Sequence, residues 1–150
     1  MKRIAAILLV ALSANARVLM TQEQALASAF PAGVKVTRQT IFLEHQLVIR
    51  YAGSNGSYAY FDTHRVRTEP ETVMVVVNAA GKIERVDILS FDEPTDYFPK
   101  RRWLDQLLGR KLDDDLSLNR AIRPISGASL TGRAIVNASR KILAIHNAIK

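Results

Sequence analysis

The 150-residue sequence contains no cysteine. Without cysteine there are no disulfide bonds, no thiolate metal ligands and no lipid anchor on cysteine, so packing alone must stabilise the fold. Histidine is also scarce, and the three that occur, His45, His64 and His146, lack the spacing of a metal site. We therefore predict no metal ion, and we interpret each histidine as an exposed or hydrogen-bonded side chain.

The nucleophile pattern Gly-x-Ser-x-Gly is absent as well, and so are internal repeats and low-complexity tracts. Ser126 and Ser129 have no histidine base near them in sequence, which argues against a serine hydrolase. The sequence therefore assigns no residue a catalytic role.

A long apolar run is missing too. The longest one, residues 4–12, is short of the roughly 20 apolar residues that a helix needs to cross a bilayer. Two basic residues precede this run and Ala14-Asn15-Ala16 follows it, which is the pattern of an export signal. We predict that residues 1–16 are a signal peptide cleaved after Ala16, that residues 17–150 form one domain, and that the mature protein is periplasmic. A retained anchor that keeps the protein at the membrane is the alternative, because more apolar residues follow the cleavage site.

Positive charge is in excess. The formal net charge of +7 falls to +5 when Lys2 and Arg3 leave with the signal. A net positive charge suits a protein that binds nucleic acid, an anionic membrane surface or an anionic cofactor. Export argues against nucleic acid, and the basic residues are scattered through the chain, which is typical of a solvated surface.

The first half of the chain predicts one helix, one strand and a second helical stretch. Thr21 and Gln24 form a capping-box pattern at the start of a helix that ends near Phe30. Residues 34–42 are rich in β-branched side chains and predict a strand. Leu43, Leu47 and Tyr51 then follow at helical spacing, and residues 52–57 predict a loop.

The second half predicts a hairpin and a long terminal helix. Strands are expected at 58–66, 73–77 and 82–89, with 73–77 buried on both faces and a turn at 78–81. A compact amphipathic helix is expected at 101–108, and apolar residues from Leu130 onward follow a 3.6-residue period. The fold class is therefore α+β, a small antiparallel sheet flanked by helices, with a long C-terminal helix.

The segment before that helix, residues 126–129, reads Ser-Gly-Ala-Ser. Free backbone N–H groups and the positive end of the helix dipole favour a phosphate there, and Gly127 allows close approach to the backbone. Arg123, Arg133 and Lys111 are candidates for compensating charge. The alternative is an ordinary serine N-cap next to an ordinary glycine turn.

Residues 125–135, ISGASLTGRAI, resemble the flavinylation segment of the FMN-binding domain family, whose pattern is D-x-x-(S/T)-G-A-(T/S)-x-T before a helix. That family includes the FMN-carrying subunits of the sodium-translocating NADH:quinone oxidoreductase and of the Rnf complex, and related exported single-domain proteins. The resemblance implies that a flavin transferase joins the FMN phosphate to Ser129, with Ser126, Gly127, Ala128, Leu130 and Thr131 around it.

Two further segments extend the resemblance. Residues 73–95 look like the family hairpin that delivers a Glu-Thr-Pro-like loop to the flavin, which implies that Glu93 and Thr95 contact the ring. Residues 103–111 look like the family helix W…F-x-G-(K/R), which contains Trp103 and Lys111. Without the resemblance, Glu93 and Thr95 belong to a surface turn around Pro94, and Trp103 is a core residue.

The segment departs from the family pattern at two positions. Arg123 stands where the pattern has Asp, and Ser129 stands where Thr is usual. Arg123 could prevent modification by the transferase, or it could pair with the phosphate of a noncovalently bound FMN. Thr131 remains an alternative acceptor hydroxyl.

The resemblance implies an exported electron carrier with FMN that exchanges electrons with a membrane redox partner and turns over no substrate of its own. Two alternatives stay open. One is a flavin-dependent reductase with its own substrate, and the other is an exported binding module that has lost the cofactor.

Overall fold

The computed structural model describes residues 17–149, so the predicted signal peptide and its cleavage site lie outside the described residues. Five strands form one antiparallel sheet in sequence order, and helices flank it, which confirms the α+β fold class. The main elements are α1 (Gln22–Ala29), β1 (Val36–Leu43), β2 (Gln46–Gly53), β3 (Tyr58–Arg65), β4 (Pro70–Val77), β5 (Ile83–Phe91), α2 (Arg101–Leu104) and α3 (Ser129–Ile149).

Helix α1 begins at the predicted capping box. Gln24 N–H donates to Thr21 Oγ1 (3.1 Å), and Thr21 N–H donates to Gln24 Oε1 (2.9 Å). These reciprocal bonds satisfy two of the N–H groups that a helix leaves unpaired at its start. Helix α1 ends at Ala29, two residues before Pro31, close to the predicted position.

Strand β4 is the centre of the core. Val73, Val75 and Val77 belong to a buried cluster shared with α3, whereas Met74 and Val76 belong to a second cluster shared with α1. All five side chains are at most 1% exposed. This confirms the prediction that residues 73–77 are buried on both faces, and it identifies β4 as a strand between two helical layers.

The predicted helical stretch after residue 43 is wrong. Residues 46–53 form β2, which pairs with β1 through a turn in which Glu44 has φ 54°. A spacing of four residues fits a helix of period 3.6, but it also returns to the same face of a strand of period 2. The predicted loop at 52–57 is correspondingly shorter, because β2 continues to Gly53.

The predicted helix at 101–108 is present but shorter. Helix α2 ends at Leu104 and continues as a 3₁₀ turn over Asp105–Leu107. Trp103, Leu104 and Leu107 are buried, as the amphipathic pattern predicts. Gly109 follows with φ 76°, a conformation that favours glycine.

Helix α3 spans 21 residues, about 31 Å at 1.5 Å per residue. Its buried face, which includes Ile135, Ile142 and Leu143, packs on the sheet and confirms the predicted periodicity. Among residues 17–149 no helix is long and apolar enough to cross a membrane. Because α3 lies along β3 and β4, its first turn lies at one end of the sheet, next to the loops that leave β3 and β5.

Candidate functional site at the start of α3

The segment before α3 is a tight turn. Ala128 N–H donates to the Ile125 carbonyl oxygen (3.1 Å), which closes a turn over residues 125–128. Gly127 has φ 75°, the left-handed conformation that a type II turn requires at its third position. No atom outside the adjacent residues lies within 4 Å of a Cβ built at Gly127, so a ligand has open access to this backbone.

No side chain among residues 17–149 caps the first turn of α3. Gly132 N–H donates to the Ala128 carbonyl oxygen (3.2 Å), which is the first bond of the helix. The methyl side chain of Ala128 has no oxygen that could accept a hydrogen bond from the N–H groups of this turn. Within residues 17–149, the N–H groups of Ser129, Leu130 and Thr131 have no acceptor. Three unpaired N–H groups at the positive end of a long helix form a site for an anion.

A pocket of about 150 Å³ opens at this helix start, and we call it the α3 pocket. Three separate segments line it: Val66 and Arg67 from the β3–β4 loop, Glu93 and Tyr97 from the loop after β5, and residues 127–131. Pockets that enclose a drug-sized ligand measure about 300–1,000 Å³. A mononucleotide bound here would therefore be enclosed only in part.

The two hydroxyl groups of the helix start differ in exposure. Ser129 is exposed and lines the α3 pocket. Thr131 lines it too, but only 1% of the residue is exposed. Ser129 is therefore the more accessible of the two to an enzyme that modifies the protein.

Glu93 reaches the α3 pocket, but one of its oxygens is already engaged. Glu93 Oε1 accepts hydrogen bonds from the backbone N–H groups of Arg67 (3.0 Å), Thr68 (2.9 Å) and Glu69 (3.1 Å). The bonds from Thr68, Glu69 and Arg67 lower the pKa of the Glu93 carboxyl below its usual value. Glu93 thus fastens the β3–β4 loop that forms the opposite wall of the pocket.

Trp103, Arg123 and Ser126 lie around a neighbouring cavity of about 720 Å³. We call this cavity the basic groove; its apolar and basic lining residues are Phe98, Lys100, Arg102, Trp103, Arg123, Pro124 and Ile125. The Trp103 Nε1–H donates to the Arg123 carbonyl oxygen (2.6 Å), so the indole ring is fixed in the core next to the turn before α3.

Three predicted residues lie outside both cavities. Thr95 is exposed in the 3₁₀ turn Thr95–Tyr97, and Lys111 is exposed beyond α2. Arg133 is exposed on α3 and lines a different cavity. None of the three lines the α3 pocket or the basic groove. Within the described chain no group of three histidine or carboxylate side chains is placed to hold a metal ion.

Three residues of the α3 pocket were not predicted from the sequence. Val66 and Arg67 come from a loop about 60 residues before α3, and no motif marks them. Tyr97 lies two residues after Thr95, in the loop that the resemblance singles out, and it lines the pocket whereas Thr95 does not.

A family model described as the FMN-binding domain matches residues 68–144, half of the chain. The chain belongs to the FMN-binding domain family. FMN is therefore its cofactor. The matched segment runs from the β3–β4 loop to the last turns of α3 and contains the turn before that helix. No curated protein and no solved structure matches the chain.

The residues at the start of α3 fit the phosphate of FMN. The phosphate oxygens can accept from the three unpaired N–H groups, and the open face of Gly127 leaves room for them. Arg67 lines the same pocket and supplies a cation, and Arg123 lies on the adjacent groove. An FMN-binding domain with this helix start can hold the anionic end of its cofactor through backbone groups alone.

Proposed function

We propose that this FMN-binding domain is a periplasmic electron carrier whose FMN is joined to Ser129 through its phosphate. One observation carries the proposal: the exposed Ser129 hydroxyl lies in the same helix turn as three unpaired N–H groups. A phosphoester at this hydroxyl would keep the phosphate within reach of those donors. The positive helix terminus would then stabilise the negative charge that remains on the phosphodiester.

The competing hydroxyls are less suited to this role. Thr131 is buried, so a transferase would have to open the first turn of α3 to reach it. Ser126 is exposed but lines the basic groove, on the other side of Gly127 from the unpaired N–H groups. Among Ser126, Ser129 and Thr131, only Ser129 is both exposed and part of the α3 pocket.

Attachment requires an activated FMN donor and a flavin transferase as partner. The bond from Ser129 Oγ to phosphorus forms as a pyrophosphate bond of a flavin dinucleotide breaks, and the nucleoside monophosphate leaves. The hydroxyl proton passes to a base of the transferase. Arg123 stands where related segments carry Asp. Its exposed cationic side chain changes the surface that the transferase would recognise and places a positive charge beside the phosphate.

The shallow α3 pocket suits an electron carrier. Bound FMN supplies the exchange of one or two electrons, while the protein sets its exposure and its contacts with partners. A pocket of about 150 Å³ leaves most of such a cofactor accessible to a protein partner. The predicted export and the net positive charge support exchange with an acidic redox partner at the membrane.

The proposal is tested by flavin fluorescence in a denaturing gel, after co-expression of the protein with a bacterial flavin transferase. The wild type is compared with Ser129→Ala and with the matched control Ser126→Ala, which removes the other serine of the turn. We expect a fluorescent band for the wild type and for Ser126→Ala, and a dark band for Ser129→Ala.

Two outcomes would contradict the covalent link at Ser129. A dark band for the wild type would leave at most a noncovalent flavin, and native absorbance spectra would show whether one is bound. A band that persists in Ser129→Ala would place the link on another hydroxyl.

A further inference from the structure

The two edges of the sheet differ in how the chain covers them. The β5 edge is occupied by two segments of the same chain. Leu19 N–H donates to the Leu89 carbonyl oxygen (2.8 Å), and Ile83 N–H donates to the Arg110 carbonyl oxygen (2.8 Å). The β1 edge has no such cover, because among residues 17–149 only β2 pairs with the β1 backbone. One row of backbone donors and acceptors is therefore left open along β1.

The open row consists of alternate residues of β1. Leu43 pairs with Gln46, so only two residues form the turn between β1 and β2. A two-residue turn closes on a hydrogen-bonded pair, and such pairs alternate with non-hydrogen-bonded pairs along an antiparallel ladder. Every second residue of β1 therefore directs its N–H and C=O groups away from β2. These residues are Val36, Arg38, Thr40 and Phe42.

The β1 edge lacks the features that commonly prevent a strand from pairing with another chain. Strand β1 contains neither proline nor glycine, and its eight residues pair with β2 without a bulge. Phe42 is 72% exposed, and its cross-strand partner Leu47 is 62% exposed on the same face of the hairpin. Exposed apolar side chains next to an open strand edge are typical of a contact between chains.

The charges along this edge are self-complementary. Arg38 and Glu44 are exposed, and neither forms an ion pair with any residue between 17 and 149. When two β1 strands pair antiparallel about a two-fold axis at Ile41, Arg38 of each copy lies opposite Glu44 of the other. The symmetry forms this ion pair twice. An acidic residue thus meets the cation that would otherwise hinder pairing at the edge.

The same register brings the other groups of the edge together. Thr40 lies opposite Phe42 of the second copy, so residues of the open row meet residues of the open row and can exchange backbone hydrogen bonds. The two Phe42 side chains become diagonal neighbours at about 7–8 Å, a separation within the reach of aromatic rings. Leu47 flanks Phe42 in each copy, so the apolar surface continues across the two-fold axis.

We propose that two copies of this protein pair through their β1 strands, antiparallel and centred on Ile41, and form one continuous sheet. Strands β1, β3 and β5 run in the same direction, so β1 runs towards the end of the sheet that carries the α3 pocket. Antiparallel pairing therefore directs the two α3 pockets towards opposite ends of the dimer. The pairing depends neither on electron transfer nor on where the flavin is attached.

The test is sedimentation equilibrium of the mature protein over a series of concentrations. We expect a monomer–dimer equilibrium for the wild type. Arg38→Glu should raise the dissociation constant of the dimer about tenfold, because two symmetric sites each exchange an attractive pair for a repulsive one. The matched control Arg120→Glu makes the same change in net charge at an exposed residue outside the hairpin, and it should dimerise as the wild type does.

A charge swap tests the register. Glu44→Arg alone should weaken the dimer as Arg38→Glu does, whereas Arg38→Glu/Glu44→Arg should return the dissociation constant close to the wild-type value. Arg38 and Glu44 form no ion pair within the described chain, so this rescue arises between two copies. Both side chains are exposed, and thermal unfolding of each variant checks that the fold is retained.

Amide hydrogen exchange locates the contact. As the protein concentration rises, the N–H groups of Arg38, Thr40 and Phe42 should exchange more slowly. The N–H groups of Gln39 and Ile41 already bond to β2 and should show no change.

Four results would overturn the proposal. They are a monomer at every concentration up to about 1 mM, a dimer that Arg38→Glu leaves unchanged, a charge-swapped variant as weak as the single variants, and slowed exchange outside β1 alone.

Discussion

At the scale of single residues, His64 lies between two carboxylates. Its Nδ1 is 3.0 Å from Asp62 Oδ2, and its Nε2 is 2.8 Å from Glu71 Oε2. Burial alone would lower the pKa of His64, but the hydrogen bonds to Asp62 and Glu71 outweigh it and raise the pKa from 6.5 to about 9. Glu71 is fully buried, and among the described residues its Oε1 has no hydrogen-bond partner. Burial raises the pKa of the Glu71 carboxyl, and the hydrogen bond and charge of His64 oppose that rise, so the proton on His64 favours the ionised form of Glu71.

This arrangement predicts a loss of stability in mild alkali. Because the pKa of His64 is raised on folding, its contribution is complete below pH 6.5 and is lost as the pH rises through about 9. We expect the free energy of unfolding in urea to fall across this window. His64→Gln should flatten the dependence, whereas the exposed control His45→Gln should leave it unchanged. Parallel curves for the wild type and His64→Gln would refute the assignment.

Sequence alone identified the residues at the start of α3 but not all of their roles. Residues 127–131 could be predicted because a glycine turn and a helix start are local features. The contact of Glu93 with the flavin stays a prediction, whereas the structure shows that Glu93 accepts hydrogen bonds from a loop about 25 residues before it. Val66 and Arg67 could not be predicted, because tertiary packing alone brings them to the pocket.

At the scale of elements, the β3–β4 loop depends on one carboxylate from the loop after β5. We predict that Glu93→Ala lowers the free energy of unfolding by about 1–3 kcal/mol, since three N–H groups lose their acceptor. It should also weaken FMN retention in protein that lacks the covalent link, because Val66 and Arg67 line the same pocket. Denaturant titration and FMN titration of the Ser129→Ala background measure the two effects.

Glu93→Gln is the matched control, because it keeps an acceptor oxygen and removes the charge. Its loss of FMN affinity should be smaller than that of Glu93→Ala. The lowered pKa of Glu93 means that its contribution is present above pH 4.5 and is lost as the pH falls through the folded-state value, so Glu93→Gln should weaken this acid dependence. Equal FMN affinity in Ser129→Ala and in Ser129→Ala/Glu93→Ala would show that the loop does not shape the pocket.

Whether a helix or strand could be predicted depended on whether its sequence pattern fits one type of structure or two. Helices α1 and α3 could be predicted, because a capping box and a long 3.6-residue period have no strand equivalent. Strand β2 could not, because Leu47 and Tyr51 fit both periods and the preceding turn uses Glu44 at positive φ, where a glycine would have signalled a hairpin.

At the scale of the whole molecule, the sheet is a meander in which each strand pairs with its sequence neighbour. Short connections explain why the order follows the sequence. Helix α1 covers one face and α3 the other, so the loops after β3 and β5 and the start of α3 come together at one end. The proposed FMN site lies where the layers end, so a cofactor bound there would face a partner without any opening of the core.

The most direct test of FMN attachment at Ser129 is mass spectrometry of the mature protein after co-expression with a flavin transferase. Trypsin cleaves after Arg120 and Arg133 but poorly before Pro124, so residues 121–133 leave as one peptide that contains Ser126, Ser129 and Thr131. We expect one FMN on this peptide, and fragmentation should place it on Ser129. An unmodified peptide, or a flavin on Ser126 or Thr131, would rule out attachment at Ser129.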